Sequence, residues 1–225
     1  MTTASNASTA ASTAAQSSHS GGRPAGPDDA RQAAPLVFAS GRLEFGFLFG
    51  VPPEHCIAFL QSAFASTHGR FSWRRHWVSM EGGEVVGVLA AHGSRSTLSD
   101  NLWFAWMTLR CFGWWRTVGV LRRGLILESE LPPPRRGETL LAHCATREAS
   151  RNRGVFSALL NDAQTLTTPS FVPQSEGLVL DVLVSNERAA QLYRRLGFVA
   201  LTRKRPPARN LPAELESVRM RFQQK

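Results

Sequence analysis

The chain has one tyrosine, Tyr193, and Asn186 precedes it by seven positions. On a helix seven residues make about two turns, so the two side chains share a face, roughly 10 Å apart along the axis. A phenol with a reference pKa near 10 is protonated at neutral pH. It can therefore donate to a departing thiolate whose parent thiol lies near 8.5. Asparagine at a helix start can cap it or touch a ligand. A second stretch, Arg151-Asn152-Arg153-Gly154-Val155-Phe156-Ser157, leads from an apolar strand into an apolar helix. The first turn of such a helix offers unpaired N–H groups and a positive dipole end, which together attract anions. Gly154 permits close backbone approach, and Arg151 and Arg153 add positive charge. Read separately, each stretch also has a plain structural reading. One is a capped helix with a core tyrosine, the other a strand–turn–helix junction with solvated arginines.

Taken together, the two stretches resemble the signature of the GNAT superfamily of N-acetyltransferases. Asn186, Ala189, Leu192, Tyr193, Gly197 and Phe198 match N-x-x-A-x-x-L-Y-x-x-x-G-F, and Arg151 and Gly154 match the opening of R-x-x-G-x-G/A. The resemblance covers about Thr139 to Arg203. It departs from the pattern at Phe156, where a small residue is usual, and at Glu148, where proline is common. It implies an acetyl-CoA (acyl-CoA) co-substrate lying between two strands that splay apart, and an amine as acceptor. Backbone groups of Cys144, Ala145 and Thr146 would hold the acyl carbonyl and pantetheine. N–H groups from Asn152 through Arg153, Gly154, Val155 and Phe156 to Ser157 would hold the pyrophosphate, and Asn186 would contact the pantetheine arm.

The implied reaction is attack of a neutral amine on a thioester. The amine must first lose a proton, the oxyanion that forms needs N–H donors, and the thiolate needs an acid, for which Tyr193 has the right chemistry. For the base three candidates remain open: Asp181, His143 and Glu138. A non-catalytic acyl-CoA-binding domain of the same fold is the alternative reading.

These residues need a frame to position them. Pro53–Phe64 reads as a helix with proline in its first turn. Phe71–Met80 and Glu84–Ala91 read as strands around a Gly82-Gly83 turn, and Phe45–Phe49 as a short strand or turn. Asn101–Leu127 carries Trp103, Phe104, Trp106, Phe112, Trp114 and Trp115 among Arg110, Arg116, Arg122 and Arg123. It reads as one or two helices broken near Gly113. Its aromatic part, Leu102 to Trp115, is expected to pack against other helices, to line an apolar acceptor tunnel, or to face a membrane or second subunit. Strands at Thr139–Thr146, Gly177–Val184, Phe198–Arg203 and Ser217–Phe222 alternate with helices at Gly154–Leu166 and Asn186–Leu196. That alternation predicts an α/β fold. The resemblance implies a mixed, mostly antiparallel sheet splayed between two parallel strands and flanked by helices.

Composition bounds the rest. Residues 1–35 are built mostly from Ser, Thr, Ala, Gly and Pro and bury too little to offset their ordering entropy. The expectation is a disordered tail followed by one acetyltransferase domain over 36–225. Cys56, Cys111 and Cys144 form no disulfide framework and no zinc spacing, so a cytoplasmic protein without a metal is expected. No stretch is long and apolar enough to span a membrane, although peripheral membrane contact is compatible with the sequence. The net charge of +9 sits on the folded part, because Arg23 and Arg31 cancel Asp28 and Asp29. The basic run Arg194, Arg195, Arg203, Lys204, Arg205 and Arg209 has no base-reading motif beside it, so no nucleic-acid partner is expected. A monomer or homodimer is compatible with the sequence.

Overall fold

The computed structural model describes residues 20–93, 98–165, 177–203, 206 and 210–223. Its frame is a seven-stranded sheet of order β1-β2-β3-β4-β5-β7-β6. The strands are β1 (Ser20–Pro24), β2 (His76–Glu81), β3 (Glu84–Gly93), β4 (Glu138–Thr146), β5 (Gly177–Leu183), β6 (Phe198–Ala200) and β7 (Ser217–Phe222). Only β4 and β5 pair in parallel; the other neighbours are antiparallel. Among the described residues seven α-helices cover the two faces: α1 (Ala30–Ser40), α2 (Arg42–Phe49), α3 (Pro53–Ala65), α4 (Leu98–Phe112), α5 (Trp114–Glu130), α6 (Val155–Thr165) and α7 (Glu187–Arg195). This is the expected mixed, mostly antiparallel α/β architecture.

Strand alternation sends neighbouring residues to opposite faces. Val78 and Val88 join one apolar cluster with Phe38, Phe45, Phe49, Phe59, Phe64 and Phe71 beneath α1–α4. Trp77 and Leu89 join the other, with Leu159 and Leu160 of α6, Tyr193 of α7 and Phe198. The β2–β3 turn is tight because Gly82 and Gly83 take φ of 58° and 80°, a pair of left-handed values that suits a two-residue hairpin. Between the antiparallel neighbours β3 and β4 the chain instead forms the helical hairpin α4–α5, broken at Gly113 as expected.

Three expectations are corrected. The tail boundary at Leu36 falls too late: β1 pairs with β2, and α1 begins at Ala30. Ala30, Ala33, Ala34, Val37 and Phe38 recur at helical spacing and are all buried, with Ala33 and Ala34 fully so. The stripe opens with alanine methyl groups, and small side chains let a helix sit close to its neighbours even though they offer little apolar surface. The expectation for residues 1–19 lies outside the described residues. Phe45–Phe49 is helical, not a strand, because Phe45 and Phe49 fall one turn apart on the buried side of α2. β2 starts at His76, since Ser72 accepts from the Arg74 N–H and closes a short 3-10 turn at Trp73–Arg75 before it.

Candidate active site

β4 carries an irregularity that shapes the site. Ala142 stands opposite Ala90 and Ala145 opposite Val88, so His143 and Cys144 together face the single residue Leu89. Two residues against one is a β-bulge, and the extra residue, His143, takes the left-handed φ of 52°. Such a value is uncommon outside glycine and is held there by its surroundings. The bulge turns His143 toward the face that carries His76 and His92. Its ring stacks on Phe71 at 5.2 Å and lies 6.1 Å from Phe45. Cys144 goes to the opposite face.

Three of the six histidines meet here. His76 Nδ1 lies 2.8 Å from the Ser72 carbonyl oxygen and His76 Nε2 lies 3.0 Å from His143 Nδ1. A carbonyl only accepts, so His76 Nδ1 carries a proton and donates it. With His76 neutral, its Nε2 accepts from His143 Nδ1–H, and the free lone pair of the chain falls on His143 Nε2. Burial drives this neutrality and lowers the His76 pKa to about 4. Burial first, then the neighbouring histidines and Arg70, hold His143 well below the usual range. His92, beside Arg75, is lowered in the same way by burial and then by that arginine. Arg75 is itself fixed by Asp100 at 2.6 Å. His76 and His92 were not singled out from the sequence, although histidines inside apolar strand runs are a readable signal.

On the other face, Tyr193 is buried among Phe156, Phe198 and the α6 side chains. Its hydroxyl neighbours the Cys144 thiol, whose Sγ donates to the Ala142 carbonyl at 3.6 Å. Burial, then Cys144, holds the tyrosine well above its ordinary pKa, and burial pushes the cysteine up to about 12. Both groups are therefore protonated at neutral pH. Cys144 has no thiolate character to act as a nucleophile.

The two parallel strands separate partway along β4. β4 and β5 pair only from Glu138↔Gly177 to Leu141↔Leu180. Beyond that β5 continues against β7 as far as Leu183, while β4 runs on against β3 to Thr146. The strands therefore part beside His143 and Cys144. Ala145 and Thr146 follow on the same free edge. At the end of β4 the chain turns through Arg151–Gly154 into α6. Asn152 and Gly154 have φ of 61° and 77°. The first α6 bond runs from Ala158 N–H to Gly154 O at 3.0 Å, so the N–H groups before it have no place in the helical ladder. Arg151, on the rim, has its Nε 3.3 Å from Thr146 O. Arg153 is engaged by Glu81 at 2.6 Å. Arg188 of α7, absent from the sequence reading, donates to Asn152 Oδ1 at 3.2 Å and brings a further cation to the turn. Val155 and Phe156 are buried, so the bulky ring at the position expected to be small leaves the cradle clear. Asn186 accepts from Ala189 N–H at 3.1 Å and caps α7, as its position suggested. The gap and the N–H-lined turn fit a long anionic thioester.

The other base candidates are tied into ion pairs. Arg219 Nε and Nη2 hold Asp181 at 2.9 and 2.7 Å. Burial raises the Asp181 pKa against that pull. Glu138 is paired with Arg221 and also accepts from Arg135 N–H at 2.9 Å, at the closed end of β4. No group of three histidine, cysteine or carboxylate side chains able to hold a metal ion occurs among the described residues.

Residues 52–198 match the family model described as the acetyltransferase (GNAT) family, more than half of the 225-residue chain. The chain belongs to that family. Among solved structures it is similar to an N-acetyltransferase from Staphylococcus aureus Mu50, at 17% identity and a TM-score of 0.65 over 89% of this chain and 99% of that one. A second acetyltransferase structure aligns at 20% identity and a TM-score of 0.57, covering 89% and 97%. At such identities the likeness concerns the fold. No curated protein matches the sequence.

Proposed function

We propose that the protein is an acetyl-CoA-dependent N-acetyltransferase acting on an amine. The observation that carries this reading is the Tyr193 hydroxyl. It is buried, protonated and next to the Cys144 thiol beside the parting of β4 and β5. Acetyl-CoA would lie in that gap, with its pyrophosphate on the N–H groups of Asn152 to Ser157 and its pantetheine along Cys144, Ala145, Thr146 and Asn186. Arg151 and Arg188 add charge at the rim.

The acceptor loses its first proton to solvent, and the free amine attacks the thioester carbon while His143 Nε2 takes the second proton from its nitrogen. N–H groups on the free edge of β4 stabilise the oxyanion. Collapse breaks the carbon–sulfur bond, and Tyr193 protonates the departing thiolate. His143 then returns its proton to solvent and the tyrosine recovers one. The net reaction moves one acetyl group to nitrogen and one proton to sulfur. His143 serves as the base in this reading, because its lone pair is free while Asp181 is held by two arginine nitrogens.

The test is release of free CoA from acetyl-CoA across a panel of amines, with Tyr193→Phe beside the unaltered chain. Loss of a general acid should lower turnover by roughly 10²- to 10⁴-fold. Coenzyme affinity should stay nearly constant, because the ring remains. Turnover unaffected by the substitution would remove Tyr193 from the mechanism. Binding of acetyl-CoA with no turnover by any amine would favour a non-catalytic domain.

A further inference from the structure

We propose that the α4–α5 hairpin is a docking surface for anionic lipid bilayers, lying on the membrane rather than crossing it. Among the exposed large apolar side chains of the described residues, Leu102, Trp106 and Leu109 lie on α4, and Trp114, Trp115, Val118, Leu121 and Leu125 on α5. Outside the hairpin the others are only Leu43, Val184, Val199 and Leu201. The spacing is regular. Leu102, Trp106 and Leu109 run i, i+4, i+7, and Trp114, Val118, Leu121 and Leu125 run i, i+4, i+7, i+11. Each helix thus has an outward apolar stripe. The inward side is already used: Met107, Val120 and Leu127 are buried, and Phe104 and Phe112 pack on Phe49 and Phe59. The outward stripes therefore add nothing to the core, and an exposed apolar concentration of this kind marks an interaction site.

Charge selects the occupant. Residues 101–127 contain four arginines and no acidic residue. Arg123 is spent on the carbonyls of Leu48 and Phe49. Arg110, Arg116 and Arg122 are exposed, and no carboxylate pairs with them among the described residues. Arg110 and Arg122 each directly follow a stripe leucine, which puts them on the flank of the stripe. Arg110 also lies over the Trp106 ring at 5.4 Å. Amphipathic helices with tryptophan on the apolar face and arginine at its border settle at the headgroup level of a bilayer. Trp114 and Trp115, at 64% and 87% exposure, mark the bend of the hairpin as its leading edge. A second copy of the chain fits less well, since a twofold contact would set these arginines against one another, and the acids of the hairpin, Asp100, Glu128 and Glu130, are already paired with Arg75, Arg70 and Arg203. No helix of the described residues is long and apolar enough to span a membrane.

Sedimentation of the full chain with phosphatidylcholine vesicles, with and without an equal part of phosphatidylglycerol, tests this independently of catalysis. Binding should favour the anionic vesicles on the order of fivefold per exposed arginine and weaken as salt rises. Trp114→Ser with Trp115→Ser should abolish binding without moving the melting temperature, because neither side chain is packed. Arg116→Gln with Arg122→Gln should remove most of the preference for anionic lipid. Should the tryptophan pair disturb folding, Leu125→Ser on the same stripe is the substitute, with loss of binding again expected. Equal sedimentation with and without vesicles overturns the proposal, and so does vesicle binding that the tryptophan variant retains. A dimer that the tryptophan variant splits, with no vesicle binding, assigns the face to a second copy instead.

Discussion

A buried histidine makes part of the acid sensitivity of this protein a matter of one side chain. Burial lowers the His76 pKa to about 4, against roughly 6.5 in an unfolded chain. As pH falls the unfolded state binds the proton first, so the contribution of the neutral ring is complete above about pH 6.5 and shrinks until the folded pKa is reached. The loss over that window is ~3 kcal/mol. His76→Gln should be less stable near neutrality, having lost its bonds to Ser72 and His143, yet should lose less on acidification. Urea unfolding at about pH 7 and about pH 4.5 reads both effects. An equally steep acid loss in the variant would show that His76 is not its source. Phe156 gives a second expectation at this scale. Its ring is buried and meets Tyr193 edge-on with centroids 5.9 Å apart. Phe156→Gly should cost roughly 3–5 kcal/mol for the lost ring and about 1 kcal/mol for glycine in the first helical turn. Acetyl-CoA binding should weaken as Tyr193 loses its support. A titration showing tighter binding, with a near-normal melt, would mean that the ring obstructs the phosphates instead.

Among the elements, α1 and β1 carry the largest revision of the sequence reading. Gly22 N–H donates to Asp162 of α6 at 2.6 Å, Arg23 holds Asp29 through two bonds of 2.8 Å, and Ala33 and Ala34 are fully buried. Deletion of residues 1–34 removes β1 and the first turn of α1, and the shortened chain should fail to fold. Ala34→Leu should cost about 1–3 kcal/mol through overpacking, since the site has no room to accept a larger side chain. Circular dichroism and thermal melts decide both. A truncated chain that melts like the full one would return these residues to the status of a tail. Apart from α2, helical where a strand or turn is expected, the remaining elements follow from periodicity with only their ends displaced. Pro53 opens α3 and Gly113 divides α4 from α5, because backbone constraints at such residues act locally and need no partner.

For the whole molecule, the splayed sheet implies a coenzyme-dependent stability. Acetyl-CoA at about 100 times its dissociation constant should add near 2.7 kcal/mol. For a chain of this size that is a rise in melting temperature of roughly 5–10 °C. An unchanged melt at millimolar acetyl-CoA would remove the coenzyme from the account. The excess of positive charge belongs to this scale as well. Part of it lines the turn at Gly154 through Arg151 and Arg188, and part lies on the helical hairpin through Arg110, Arg116 and Arg122.

The sequence by itself determined the motif helix from Asn186 to Gly197, the turn at Gly154 and the order of strands and helices from Pro53 onward. Each of these rests on contacts within a few residues: a cap, a left-handed glycine, a repeat of apolar side chains. Tertiary structure decided what no local pattern contains. It placed a one-residue bulge opposite Leu89, turned His143 toward His76 and His92, brought Cys144 to Tyr193, and locked Asp181 to Arg219. It also converted four alanines of an unpromising segment, Ala25, Ala30, Ala33 and Ala34, into core. The physical reason is common to all of these. Bulges, buried titrating groups and close helix packing are fixed by partners far away in the chain, and a methyl group counts toward the core only when the surface opposite it is close enough to exclude water.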